Sequence, residues 1–599
     1  MFGVCSIKEA TLEERNMYIN NMSNTLCCYR TDTVKKYSDE HILLGLNRGS
    51  QSAHNENKNL IVIFSGRIYN SNAETVTHLY EEYGVDCFKH IKGEFSIVLW
   101  DKNKKRLLIA RDRFGTKPLY YYHKDGFFAF SSEVKALFKL PFVSKVLDTY
   151  AVKMYFSLEY VPSPYSIFKE VFKLQPAHYI IYENDNIKVC PYWDFSAIGT
   201  DNNISFSEAS SRLKQLLHVS INDHIVGDAP LGVFLSGGMD SSSLVALLSE
   251  SHGQKFPTFS MGFGEKSFDD SEYAICVSKY FGTKHHNYIF TVDDFVNNFY
   301  DVTNVLNEPF ADLSIFPTYM LSKLTRQHVN VVLSGEGGDE LLMGYPTYIA
   351  HKYIGLFNKF PNFLKNISKH FINRLPVSNK YLSLDFKLKQ FIKGAEVDDI
   401  ILRHILWMGA FSDSEKSRLF SNYVNKQDTI SSSMISQLVK KLKDLRLNSD
   451  NKVIQYLDML SLCDNVLFKS DRAGMLANLE IRMPYLDHRL AEFLLSLRPE
   501  FLYQKKILKK TMTEILPRKI ITRAKRGFPI PFAPWLHEGR VLKLIEVFFD
   551  NDFLKKQGLF NPSYLKLLLK EHLTGKNENR KKLRTYIMFQ GWYRSCFNE

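Results

Sequence analysis

The sequence predicts an α+β N-terminal domain, with sheets packed against helices, over residues 1–195. From 205 to 599 it predicts an α/β domain on a parallel sheet with a helical C-terminal part. Three observations predict this. Short apolar runs bounded by turn residues crowd the first 195 positions. Beyond Ser207, strand-like and helix-like segments alternate, as they do in parallel sheets. After Tyr345 the pattern is mostly helical to the end. A chain of 599 residues, 45% hydrophobic and 24% charged, has the length for two or three large domains and excludes general disorder.

The elements follow in order. NLIVIFSGRIY (59–69), GEFSIVLWD (93–101), RLLIARD (106–112) and GFFAFSS (126–132) read as strands. Residues 191–210 lose hydrophobic density and read as a linker, with a helix starting near Ser207. SEASSRLKQLLHVSINDHI has apolar spacings of three and four, which predicts that helix. APLGVFLSGGMDSSSLVALLSESH reads as strand, glycine turn and helix. KFPTFSMGF is a strand, SEYAICVSKYFG a helix, and NVVLSGEGGDELLMGY a strand ending in a glycine-rich acidic turn.

Composition narrows the function. Lys plus Arg is 77 and Asp plus Glu is 64, a net charge of +13. No Arg-rich block or aromatic-basic repeat accompanies the excess, so no nucleic-acid partner is expected. No apolar run reaches 18 residues, so no membrane partner is expected either. The N-terminus does not read as a signal peptide, and the address expected is cytoplasmic. The eight cysteines form no C-x-x-C pair, which argues against structural zinc and suits a reducing compartment.

The strongest local signal is Leu235-Ser236-Gly237-Gly238-Met239-Asp240-Ser241-Ser242, directly after an apolar strand. Glycines let the backbone turn its N–H groups toward an anion, and a helix N-terminus adds positive potential. Ser236, Ser241 and Ser242 can donate to phosphate oxygens. Asp240 makes sense there if Mg²⁺ lies between it and the phosphate. The lysine of the kinase-type phosphate loop is absent, so γ-phosphoryl transfer is not the expected chemistry.

SGGMDSS resembles the pyrophosphatase-type loop of enzymes that split ATP between its α and β phosphates. With it stand SGEGGDELLMGY, DRAGMLANLEIRMPYLDHRLAEF and RAKRGFPIPFAPWL, four separated motifs in the order found in the asparagine synthetase family. The chain resembles that family across most of its length. The resemblance implies ATP and Mg²⁺, a small-molecule carboxylate activated as an acyl-adenylate, and attack by ammonia or an amine. Aspartate is the default acceptor, with a sugar acid or a peptide in a biosynthetic pathway as the alternative. A non-catalytic nucleotide-binding subunit is the reading from another class.

By the same resemblance Ser236 to Ser242 cradle the pyrophosphate, and Asp240 and Asp339 hold Mg²⁺. Leu235, Met261, Ser334 and Gly335 match the adenosine-binding positions. Lys525 matches a catalytic lysine that neutralises the leaving group, and Glu336 matches an acceptor of the nucleophile's proton. Glu480, Arg482 and Asp487 read as structural ion pairs. The family is often dimeric, so a homodimer is an expectation, although no interface signature stands in the sequence.

GEFSIVLWD, ARDRFGTKPLYYY and FSSEVKALF resemble the family's glutaminase domain, an N-terminal-nucleophile hydrolase. That domain's nucleophile is a cysteine directly after the initiator methionine, with its freed α-amine as base. Here the position is Phe2, which cannot attack an amide, and Cys5 would lack the α-amine. The family's Asn-Gly-Glu turn reads Ser65-Gly66-Arg67, basic residues surround His90, and Arg48 alone matches the carboxylate-binding position. The expectation is a retained scaffold without glutamine hydrolysis. Nitrogen would then come from free ammonia, from an amine on the substrate, or from a separate glutaminase.

Overall fold

The computed structural model describes residues 1–5, 11–25, 35–46, 50–69, 72–225, 230–253, 256–426, 431–445, 447 and 449–597. Two antiparallel six-stranded sheets occupy the first 191 positions. In the first, Phe2–Cys5 is a central strand between Phe127–Ser131 and Ile42–Leu46. In the second, Leu60–Ile68, Gly93–Asp101 and Arg106–Arg111 run side by side.

Strand alternation builds the layers. Ile42, Leu44, Phe128 and Phe130 of the first sheet meet Ile61, Ile63, Val98 and Trp100 of the second, and together they fill the space between the sheets. The intervening residues Phe2, Val4, Leu43 and Ala129 face outward and pack with Ile19, Val134 and Leu137 of the covering helices. Val62, Phe64, Ile97 and Leu99 do the same against Val76 and Tyr80 of the helix Ala73–Tyr83. The result is helix, sheet, sheet, helix, with the central strands buried on both faces and edge strands such as Asn186–Pro191 largely exposed.

The segment 191–210 carries one short turn, Phe195–Ala197, before the helix Phe206–Ile225 begins. It is anchored. The Trp193 indole donates to Glu492 at 2.8 Å, and the Asp201 backbone N–H donates to the Ser496 carbonyl at 2.7 Å.

The second half holds a five-stranded sheet, parallel throughout. Its order is Lys284–Phe290, Pro257–Phe263, Leu231–Phe234, Val331–Leu333, Glu480–Arg482. Two of these strands carry no clear sequence signal. Lys284–Phe290 (KHHNYIF) is polar and half-exposed, as an edge strand should be. Glu480–Arg482 is three residues long inside an otherwise helical region. There Arg482 pairs with Glu480 at 2.7 Å, and its carbonyl accepts from the Ser334 backbone at 2.8 Å. Asp487 caps the helix His488–Ser496 and pairs with Arg489.

Buried charge joins the two halves. The Lys173 ammonium lies 2.9 Å from Glu308 and 3.1 Å from Asp464, all nearly inaccessible. Backbone donors from Ile167 and Ser163 complete both carboxylates, each at 2.6 Å. A buried pair is stable only when its remaining lone pairs are satisfied in this way.

Candidate active site

Strands Leu231–Phe234 and Val331–Leu333 are neighbours at the point where the strand order reverses. Open α/β sheets bind ligands beyond the carboxyl ends of strands at such a point. The two glycine loops leave the sheet there, and both line a cleft of about 1510 Å³.

Local geometry requires the glycines. Gly237 has φ of 67°, and a Cβ on it would lie 2.4 Å from the Tyr273 Cβ. Gly238 caps the helix Met239–His252 with no side chain bonded to the first turn, so N–H groups there stay available to an anion. The Ser236 and Ser241 hydroxyls are 3.1 Å apart, and Gly238 N–H donates to the Ser236 hydroxyl at 3.3 Å. Arg523 donates to the Ser236 carbonyl at 3.1 Å and pairs with Asp270 at 2.7 Å.

Leu235, Ser236, Gly238, Asp240, Ser241, Met261, Ser334, Gly335, Glu336, Asp339 and Lys525 all line the cleft. Gly237 and Ser242 do not. Gly237 backs onto Tyr273, and Ser242 is fully buried within its helix.

The second loop closes on the first. A Cβ on Gly338 would lie 2.6 Å from Asp240 Oδ1, and one on Gly335 would lie 2.9 Å from the Ser241 nitrogen. Asp240 and Asp339 share one cation. Lys505 Nζ contacts Asp240 Oδ2 and lies 2.6 Å from Asp339 Oδ1, while Lys525 Nζ contacts Asp339 Oδ2. Burial pushes the Asp240 carboxyl up against the pull of Lys505. Burial acts on Asp339 too, but Lys505 and Lys525 together hold it well below its usual range. Burial opposes the charge on Lys525, and Asp339 and Asp240 outweigh it, so that ammonium stays protonated.

Lys505 is the residue that sequence reasoning missed, because nothing in its local sequence, YQKKILKK, sets it apart from the neighbouring lysines. It is 4% exposed. Gln504 and Lys505 both adopt left-handed φ, 54° and 59°, and their N–H groups donate to the carbonyls of Met343 and Leu342. Two consecutive non-glycine residues held there cost energy that the surroundings must repay, a pattern that clusters at functional sites.

Glu336 accepts a short hydrogen bond from the Ser470 hydroxyl, and Lys469 lies 3.5 Å away. Burial works against the Lys469 charge, and Glu336 and Asp312 raise its pKa. The pair sits on the cleft wall with Asp312.

The donor set fits Mg²⁺. Two hard carboxylates converge from two loops, and the buried Asp240 Oδ1 has no hydrogen-bond partner.

In the first half, Phe2 is fully buried, and its ring covers Gly45, where a Cβ would lie 2.1 Å from it. Cys5 ends the same strand, and its side chain is outside the described residues, as is Arg48. Ser65, Gly66 and Arg67 lie on the strand Leu60–Ile68, away from the cleft lining. Gly66 has φ of 103°, and a Cβ there would lie 2.1 Å from the Glu94 carbonyl oxygen. Burial and the nearby Arg482 lower the Arg67 pKa.

The cleft at the switch point, with its two glycine loops and paired carboxylates, lies inside the segment that matches a family of ATP-splitting carbon–nitrogen ligases. Residues 212–594 match the asparagine synthase family, and residues 70–193 match the glutamine amidotransferase domain. The chain belongs to the asparagine synthetase family. It is 32% identical over 441 residues to a putative asparagine synthetase (glutamine-hydrolyzing) 2 of Methanocaldococcus jannaschii, covering 70% of this chain and 82% of that one. It is 26% identical over 622 aligned positions to asparagine synthetase (glutamine-hydrolyzing) 1 of Bacillus subtilis, covering 98% and 94%. A protein of Gibberella zeae named amidase chry2 is 24% identical over 542 residues, covering 81% and 79%.

Proposed function

We propose that this protein activates a carboxylate with ATP at the two-loop cleft and joins it to ammonia or an amine. The working units are residues 1–195, a silent glutaminase-like domain, and 205–599, the ligase. The observation that carries the reading is the convergence of Asp240 and Asp339 on Lys505 and Lys525 beside the open helix N-terminus.

A carboxylate oxygen attacking the α-phosphorus meets anion–anion repulsion, so the site must supply positive charge. The loop N–H groups and the hydroxyls of Ser236 and Ser241 bind the β and γ phosphates. Leu235, Met261, Ser334 and Gly335 bound the nucleoside. Asp240 and Asp339 would hold Mg²⁺, which supplies charge neutralisation on the phosphates. As the α–β bridging bond breaks, Lys505 and Lys525 turn from the carboxylates to the departing pyrophosphate. The nitrogen nucleophile then attacks the acyl carbon, AMP leaves, and Glu336 takes the nucleophile's proton.

The acceptor proposed first is aspartate. A sugar acid or a peptide is the alternative, and the cleft, larger than a drug-sized pocket, admits either. Glutamine hydrolysis is proposed to be lost, because position 2 carries an aromatic ring built into the core in place of a nucleophile. Ammonia, a substrate amine or a separate glutaminase supplies the nitrogen. Asp240→Ala tests the site. Pyrophosphate release with the accepted carboxylate should fall to background, and release at the wild-type rate would refute the assignment.

A further inference from the structure

Among the described residues, 22 large apolar side chains stand exposed, and nine of them fall between positions 349 and 384. The helix Asn362–Asn373 buries no residue. On it Phe363 (62% exposed), Ile367 (50%) and Phe371 (69%) recur every four residues, with Leu364 beside them. That spacing forms one face. The helix therefore turns its apolar stripe to solvent, the reverse of a helix that packs on a core. The preceding helix Pro346–Phe357 also exposes Tyr353 and Leu356.

Charge accompanies the stripe. Between 346 and 394 the chain carries nine lysines and arginines and one acid, Asp385, which is buried. The orientation is fixed by contacts. Lys365 donates to the Asn358 carbonyl at 2.9 Å, and Lys369 pairs with Glu396 at 3.0 Å. These two lysines hold the helix from its protein side, while Lys359 before it and Arg374 after it are exposed. An apolar stripe with exposed cations at both ends matches the interface of an anionic bilayer, where acyl chains take the stripe and headgroup phosphates take the cations.

We propose that the face formed by residues 349–374 docks on an anionic lipid bilayer. Phe363, Ile367 and Phe371 enter the headgroup boundary, and the exposed Lys359 and Arg374 at the two ends of the helix meet the phosphates. No described helix is long and apolar enough to cross a membrane, so the contact is peripheral. A symmetric contact with a second copy would set this basic face against itself, and like charge opposes that pairing. Ile349, Tyr381 and Leu382 of the same region also line the catalytic cleft, so docking brings the cleft beside the lipid surface.

The test is co-sedimentation of the full chain with vesicles of phosphatidylcholine alone or containing phosphatidylglycerol. Retention should be at least about tenfold greater on the anionic vesicles and should be lost in high salt. Phe363→Asp/Phe371→Asp and, separately, Lys359→Glu/Arg374→Glu should each abolish it, with the circular dichroism spectrum unchanged. Equal retention on both vesicles, no retention, or retention by the double aspartate variant would overturn the proposal. So would a variant that changes only the oligomeric state and leaves vesicle binding intact, because that result assigns the face to a second copy.

Discussion

The Lys505 ammonium lies 2.6 Å from the Asp339 carboxylate and contacts Asp240 as well, so carboxylates from both glycine loops share one cation. This contact couples the late basic segment to the phosphate site. Lys505→Met should lower pyrophosphate release by about 100-fold or more, the scale for removing one transition-state charge. Mg²⁺ should also raise the melting temperature of this variant more than that of the wild type, since a divalent cation can replace the missing charge. Equal thermal shifts would separate Lys505 from the metal site.

Gly237→Ala should fail at the same step for a backbone reason. Its φ of 67° and the Tyr273 Cβ at 2.4 Å leave no room for a methyl group. A strained left-handed residue costs about 1–3 kcal/mol, and the loop should shift to relieve it. Nucleotide binding measured by calorimetry should weaken while the fold persists. Unchanged affinity would show that the loop does not cradle phosphate.

Phe2 should behave as core. Phe2→Ala should cost about 3–5 kcal/mol in denaturant unfolding, the usual loss for a buried phenylalanine. Phe2→Cys should release no glutamate from glutamine, because Ser65-Gly66-Arg67, which lies on a strand, lacks the family's amide and acid. Glutamate release by that variant would mean the pocket survives.

His351 makes the fold acid-sensitive. It is buried beside His404 at 3.4 Å, and burial, His404 and Arg403 push its pKa from 6.5 down to about 3. The unfolded chain binds the proton at higher pH than the folded one does. The stabilisation is therefore complete above about pH 6.5 and drains away as pH falls toward 3. Between pH 6.5 and 5 the loss should be about 2 kcal/mol. His351→Phe should lessen that slope in urea melts, with His488 and His572, both lowered to about 4 by burial, carrying the remainder, and an unchanged slope would contradict the assignment.

Three inner strands of the second sheet, one strand of the first and the first glycine loop were legible because short apolar runs and a Gly-Gly turn are local patterns; Phe2–Cys5 and its neighbour Ile42–Leu46 were not. Ser236 and Asp240 stand in that glycine loop, whereas Asp339 is identified only through the resemblance of its own loop to the family's. Lys505 could not be named, because its meaning comes from burial against carboxylates 265 and 166 residues away. The strand Glu480–Arg482 was hidden likewise, since its pairing partner Val331–Leu333 is remote and its three residues have no period to read. Ser242 shows the opposite limit. A serine at a loop-to-helix junction reads as a phosphate donor, but the helix turns it into the core.

The decisive measurement is pyrophosphate release by the full chain with ATP, Mg²⁺ and aspartate, supplied with either ammonium or glutamine. Pyrophosphate and asparagine should form with ammonium, and neither should rise above background with glutamine. Pyrophosphate, asparagine and glutamate together in the glutamine reaction would contradict the proposed loss of glutamine hydrolysis, because a working glutaminase cannot be built on Phe2.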